Sequence, residues 1–337
     1  MIKKMCGALF VLVVLECALS LPSMGQAQIP LSCMNTQTLF YPDPIPPGWF
    51  YLWSYPGTYQ YVVGAMTCKP PCTSCNNAGN PIELATGDTF VTEQDVQIPG
   101  LGGGLSLSRT WNSVWPSGLA SFETGMFGPL WRSTYEERIV TGTDNFMRYI
   151  RGDGTFWSFG SAGPLTEWAG SGPGGPAVEV KLNTDTSTNP YFTLTFGNGE
   201  QRHFDSNTGH LMAIIDPNGN TTTVAYDSSG RLSTVTDPVS RTLTFTYGNS
   251  NFPNLATSVS SSVGISYSYS YDSQGRLSQV TKPDQTTVSF TYDTQSRITT
   301  VTDSNGKVLE SHTYDSSSRG LTSTRANGIE ALTVSYP

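Results

Sequence analysis

The stretch Tyr271-Asp-Ser-Gln-Gly-Arg-Leu277-Ser-Gln-Val280-Thr-Lys-Pro283-Asp-Gln-Thr-Thr-Val288-Ser-Phe290-Thr-Tyr292-Asp293 decides the fold. It holds two apolar-polar alternations, each bounded by turn residues, and period two is the signature of a strand with one buried face. Proline presets φ in the Lys-Pro-Asp-Gln turn, and glycine supplies positive φ in the Asp-Ser-Gln-Gly turn. The stretch therefore reads as one β-hairpin that ends where the next begins.

The same unit recurs as Phe204-Asp-Ser-Asn-Thr-Gly-His-Leu211, Tyr226-Asp-Ser-Ser-Gly-Arg-Leu232, Tyr292-Asp-Thr-Gln-Ser-Arg-Ile298 and Tyr314-Asp-Ser-Ser-Ser-Arg319. Successive starts lie 22, 21 and 22 residues apart, and the 45-residue interval from Tyr226 to Tyr271 holds a degenerate unit at Tyr247 with a three-residue excess. The defining positions are Tyr226, Asp227, Gly230, Arg231 and Leu232; Tyr271, Asp272, Gly275, Arg276 and Leu277; Tyr292, Asp293 and Arg297; and Tyr314 and Asp315. A fixed period of this length outranks local propensity as evidence. Within a unit Leu243, Phe245 and Tyr247 share one face and threonines the other, so a lone hairpin cannot bury its apolar face and stacked neighbours must do so.

Tyr-Asp-x-x-Gly-Arg-Leu-x-x-Val-Thr-Asp-Pro is the pattern of the YD repeat, and Tyr226 to Thr313 resembles the repeats of Rhs-like proteins. The segment Gly79-Asn-Pro-Ile-Glu-Leu-Ala-Thr-Gly-Asp88, followed by Leu105-Ser-Leu-Ser-Arg-Thr-Trp-Asn112, is similar to the domain that opens many Rhs proteins. The resemblance implies hairpins coiling into a β-shell able to enclose a toxic C-terminal domain. It implies a scaffold with no catalytic activity and no cofactor, whose partners are further YD repeats, a toxin domain or cell-surface glycans. The chain departs from that plan with about six units, too few to close a shell, and with no toxin domain or release motif before Pro337.

Composition agrees with an all-β chain: Gly 34 and Pro 22 supply turns, and helix formers are few. A net charge of -8 with 13% charged residues repels phosphate backbones, so nucleic acid is not an expected partner. Lys3 and Lys4 precede an apolar run from Gly7 to Leu15, and Gly25-Gln26-Ala27 offers small residues before a cut. Residues 1–27 read as a signal peptide, and an uncleaved anchor is the rival reading, though the run falls short of the ~20 residues a spanning helix requires. The mature chain is then secreted or held in the cell envelope, with no membrane span after leader removal.

Removing the leader takes Cys6 and Cys17 and leaves Cys33, Cys68, Cys72 and Cys75. In an oxidising compartment they read as two disulfides whose pairing cannot be derived, with zinc as the alternative. The expected division is 28–78, a proline- and aromatic-rich segment; 79–176, a β domain; and 177–337, the hairpin array. An exposed aromatic row at Trp49, Trp53 and Tyr55 would suit glycans, while packing onto the neighbouring domain is the plainer reading.

No catalytic residue is identified. The histidines are His203, His210 and His312, and no nucleophile elbow, zinc-protease motif or phosphate loop occurs. His203 and His210 bracket Asp205 across a turn, and Glu136, Glu137 and Glu167 read as solvated strand-edge charges rather than a glycosidase pair.

Overall fold

The structure is a computed structural model. It describes the backbone of Met34–Phe40, Phe50–Ser54, Gln60–Met66 and Asn77–Ala78, and from residue 82 onward all but 84–85, 116–118, 120–121, 142–146, 162–166, 171–177, 184–189, 326–329 and 337. The leader, Cys33, Cys68, Cys72, Cys75, Trp49 and Tyr55 lie outside the described residues, and Trp53 is placed only by its backbone in Phe50–Ser54.

The described residues are almost all strand, as the period-two runs require. Arg138–Thr141 opens a 19-stranded sheet that ends at Glu330–Thr333, each strand pairing antiparallel with the next in the chain. Pairing runs on from Glu167–Gly170 to Val178–Asn183, so this sheet continues across residue 176. Every unit folds as the hairpin expected: Leu277–Thr281 pairs with Thr287–Tyr292 through Lys282-Pro-Asp-Gln, and the next unit follows through Asp293. A bulge precedes the aromatic residue at Ala225/Tyr226, Ser270/Tyr271, Thr291/Tyr292 and Thr313/Tyr314, which turns the strand end and re-aims the ring. The three-residue excess after Tyr247 becomes a loop before Ser258–Ser261, with Leu255 and Ala256 tucked into the core.

Alternation sorts the array's side chains into two faces. Val224, Phe245, Tyr269 and Phe290 form one inner column, with Val235, Val259, Val280 and Val301 on the intervening strands. All eight are buried, and burial of each such side chain contributes roughly 1.5–3 kcal/mol.

Neighbouring hairpins do not cover this inner face by themselves. A second, three-stranded sheet, in which Leu105–Asn112 runs between Phe90–Ile98 and Trp131–Ser133, lies against it. The two form one hydrophobic core. The contacts between them join parts of the chain far apart in sequence. Gly320 donates its N–H to the Gly87 carbonyl (2.8 Å), Trp111 meets Tyr314, Trp131 meets Phe290, and Phe127 meets Tyr269. The large sheet also folds back on itself, because Ile139 in its first strand donates to the Gly209 carbonyl (3.0 Å) in the turn after Gln201–Asp205.

Candidate functional site

The repeat-defining residues assemble into one device repeated along the array edge. Each tyrosine hydroxyl donates to a backbone carbonyl of the preceding unit: Tyr226 to Leu211 (2.9 Å), Tyr247 to Leu232 (2.8 Å), Tyr271 to Ala256 (2.6 Å), Tyr292 to Leu277 (2.7 Å), Tyr314 to Ile298 (2.6 Å) and Tyr336 to Gly320 (2.7 Å). Loss of solvent around the part-buried phenols of Tyr226, Tyr247, Tyr271, Tyr292 and Tyr314 pushes them above their ordinary range, and they stay protonated donors.

Where an aspartate follows the tyrosine, after Tyr226, Tyr271, Tyr292 and Tyr314, it closes the turn. Asp227 Oδ1 accepts from the N–H groups of Ser229 (2.9 Å) and Arg231 (3.0 Å), and Oδ2 from Arg231 Nε (2.8 Å). Asp272, Asp293 and Asp315 do the same with Arg276, Arg297 and Arg319. Hydrogen bonds from Arg231 hold the Asp227 carboxyl below the usual range. The arginine then reaches the next unit. Arg276 lies over the Tyr292 ring (5.0 Å) and donates to the Asp293 carbonyl (2.9 Å), and Arg297 lies over Tyr314 (4.9 Å) and donates to Asp315 (2.7 Å). Planarity and a fork of donors suit arginine to both tasks at once. Tyr, Asp and Arg thus have bonds within and between units as their work.

Gly230 and Gly275 take positive φ in these turns, 74° and 76°, as the turn chemistry demands. Ser296 and Ser318 occupy the same position at 62° and 64°, a conformation that costs a side-chain-bearing residue about 1 kcal/mol or more.

At the start of the array the device changes. His210 stands where later units have arginine, and its ring stacks on Tyr226 (4.6 Å, 15°). Burial and then the nearby Arg138 push His210 down to about 4, so a neutral ring makes the stack. Asp205 is engaged by Asn207 and Thr208 in its own turn, and His203 rests against Tyr191 (4.6 Å). The His203–Asp205–His210 trio is therefore not convergent, and no group of three or more His, Cys, Asp or Glu side chains able to hold a metal occurs among the described residues.

Inside the core lies a polar centre without precedent in the sequence reading. Arg109 donates to both carboxylate oxygens of Asp95 (2.6 and 2.8 Å), and Tyr269 donates to Asp95 Oδ2 (2.6 Å). The Arg109 guanidinium lies 5.1–5.7 Å from the ring centroids of Trp131, Tyr269 and Phe127. Burial acts to lower the Arg109 pKa, and Asp95 overrides it to hold the charge. The opening sheet is thereby clamped onto the inner column.

Glu136 and Glu137 correct the expectation of solvated edge charges, because both are largely buried. Glu136 accepts from the Met126 N–H (2.6 Å) and Ser133 hydroxyl (2.8 Å), and Glu137 from Tyr149 (2.8 Å) and Arg202 (3.1 Å). Burial pushes both carboxyls up. They hold different loops and do not face each other as an acid-base pair. The Pro99–Gly104 connection contains a single 3-10 turn, Leu101–Gly103, and Gly104 has positive φ (73°) where an added Cβ would meet the Ile98 carbonyl at 2.1 Å.

Comparison with known proteins adds the family. The model described as RHS Repeat matches residues 206–242, 254–287 and 271–308, and that of a domain of unknown function, DUF6531, matches 79–159. The tRNA nuclease WapA of Bacillus subtilis (strain 168) is 32% identical over 143 residues, 42% of this chain and 6% of that protein. The tRNA3(Ser)-specific nuclease WapA of Bacillus spizizenii gives the same figures, 32% over 143 residues, 42% and 6%. The chain spans about 6% of the length of these curated relatives. Among solved structures, a TcdB2-TccC3 crystal structure aligns over 83% of this chain and 14% of that one, at 16% identity and a TM-score of 0.28.

Proposed function

We propose, from the premise that this chain belongs to the RHS-repeat family, that it is an exported scaffold whose repeats serve as wall material. In this reading it works beside further YD repeats, a toxin domain or a cell-surface partner, and turns over no substrate of its own. The observation that supports it is the use of the repeat residues: Tyr292, Asp293 and Arg297 are consumed in bonds that shape one turn and join it to the next unit. The inner face of the array is occupied by the chain's own opening sheet, so a cargo or partner meets other surfaces.

The WapA relatives are nucleases by name. We assign no such activity to this chain, whose net charge of -8 repels tRNA. Incubating the full chain with total tRNA is expected to leave the tRNA intact, and specific cleavage would overturn the reading. Export is checked by fractionating the source cells and sequencing the mature N-terminus. A chain beginning at Gln28 in the envelope or medium is expected, and a cytoplasmic chain that keeps its leader contradicts it.

A further inference from the structure

A cleft of about 600 Å3 opens where the outer face of the opening sheet meets the first strands of the large one. It is separate from the inner seam and from the repeat device, and the scaffold reading does not use it. Its floor carries half-buried Trp157 and Phe196, packed edge-on at 6.1 Å with Tyr149 beside them. A guanidinium lies over each floor ring, Arg151 over Trp157 (5.2 Å) and Arg202 over Phe196 (5.3 Å).

The charges in the cleft are already matched. Arg151 pairs with Asp153 (3.2 Å), and Arg202 pairs with Glu137 (3.1 Å) and with Glu200. An anion entering the cleft finds no unpaired guanidinium among these, and meets three carboxylates against two cations. Nor does a lipid fit, since fixed charges rim the apolar floor. Paired ions of this kind present hydrogen-bond donors and acceptors side by side in a fixed arrangement. That is what a ring of hydroxyl groups asks for, because each hydroxyl both donates and accepts. Hydroxyls on the opposite wall, Thr92 bonded to Thr110 (3.0 Å) and Ser108, extend the same pattern. Flat apolar ring surface beside such groups complements the C–H face of a pyranose, and the volume falls in the range of small-molecule sites.

We propose that this cleft binds a neutral saccharide of one or two rings. Trp157 and Phe196 meet the sugar's apolar face, and the Arg151–Asp153 and Arg202–Glu200 pairs, with Asn198, meet its hydroxyls. The site differs from the upstream aromatic row at Trp49, Trp53 and Tyr55. It stands independently of the scaffold reading.

The test is calorimetric titration of the full chain, with saturation-transfer NMR, using cellobiose, lactose and N,N′-diacetylchitobiose, and inorganic phosphate as a fourth probe. At least one disaccharide is expected to bind, and Trp157→Ala to weaken it at least ten-fold. Because Trp157 also packs against Tyr149, the variants Glu200→Gln and Asn198→Ala are measured in parallel. They replace no residue of the ring cluster and are expected to weaken the same sugar several-fold, while the stability lost with the Asn198 turn bond to the Glu200 N–H (3.0 Å) and the Glu200–Arg202 pair is read separately as melting temperature. Three results overturn the proposal: no disaccharide binding, binding of phosphate alone, or sugar binding that survives these variants and is lost in the double change Trp49→Ala and Trp53→Ala.

Discussion

The repeat array from Phe204 to Arg325 and the opening sheet from Phe90 to Ser133 are both antiparallel and share one core, yet they are held by bonds of different reach. In the array Asp272 closes on Arg276 four residues away, and Tyr292 reaches Leu277 at 15. In the opening sheet the decisive bonds are Tyr269 to Asp95 across 174 residues, Trp131 to Tyr292 across 161, and Ala256 to the Met126 carbonyl across a comparable span. Short bonds repeated many times make a wall that tolerates local loss. Long bonds made once make a clamp that does not.

The largest effect should follow from the clamp. Arg109→Ala leaves the Asp95 carboxyl buried against Tyr269 without its ion-pair partner, and a broken buried pair of this kind costs about 3–5 kcal/mol. A lowered denaturant midpoint checks it. Replacing the centre together, as Arg109→Met, Asp95→Leu and Tyr269→Phe, should restore most of the loss, since an apolar core of similar volume is often as stable. If Arg109→Ala is neutral, the clamp is ornamental.

Within the array, effects should be smaller and should depend on what each turn touches. Gly230→Ala meets nothing within 4 Å and should cost about 1 kcal/mol for its positive φ alone. Gly275→Ala also drives its Cβ to 2.9 Å from the Phe252 ring and should cost roughly 1–3 kcal/mol more. Ser318→Gly should do the opposite, stabilising by about 1 kcal/mol by relieving the same backbone conformation. Thermal midpoints of the three variants sharpen the comparison, and equal losses for the two glycines would break it.

Tyrosine hydroxyls offer a finer contrast. Tyr226→Phe removes one bond and should cost roughly 0.5–1.5 kcal/mol, whereas Tyr292→Phe also leaves the Trp131 indole N–H without its acceptor (3.2 Å) and should fall at or above the top of that range. Equal destabilisation by the two would show that the cross-sheet bond contributes nothing.

The smallest effects concern pH, and the two regions should respond with opposite sign. Asp227 has a lowered pKa in the folded chain, so its contribution is present above its unfolded value of 3.8 and lost as pH falls below it. Asp88, in the opening segment, is pushed up to about 7 by burial, so its contribution is greatest below 3.8 and declines as pH rises to about 7. Asp88→Asn keeps an acceptor for the Val114 N–H (2.9 Å) and should flatten stability between those two values. Midpoints taken across pH 3 to 8 decide it, and an unchanged slope would show that Asp88 does not titrate in that window.

The same contrast explains what was legible in the sequence. Tyr271, Asp272, Gly275 and Arg276 recur because every unit solves the same local problem, and a recurring solution leaves a period. The hairpins, their turns and the split of Leu243 and Phe245 from the threonines followed from it. The period does not say where an arginine points after closing its own turn, so the stack of Arg276 on Tyr292 was hidden. Asp95, Arg109 and Tyr269 occur once each, and nothing local marks them as partners. Glu136 and Glu137 carry an exposed residue's chemistry, and only the fold shows that Ser133, Met126, Tyr149 and Arg202 enclose them.

The opening sheet is the second layer of the array rather than a neighbour of it. Hydrogen exchange on the full chain, wild type against Arg109→Ala, tests this most directly, with peptides covering 266–314 followed separately from those covering 90–112. Loosening Arg109 is expected to speed exchange in both sets together, including strands more than 150 residues away in sequence such as Thr287–Tyr292. Faster exchange confined to 90–112, with 266–314 as protected as in wild type, would contradict it.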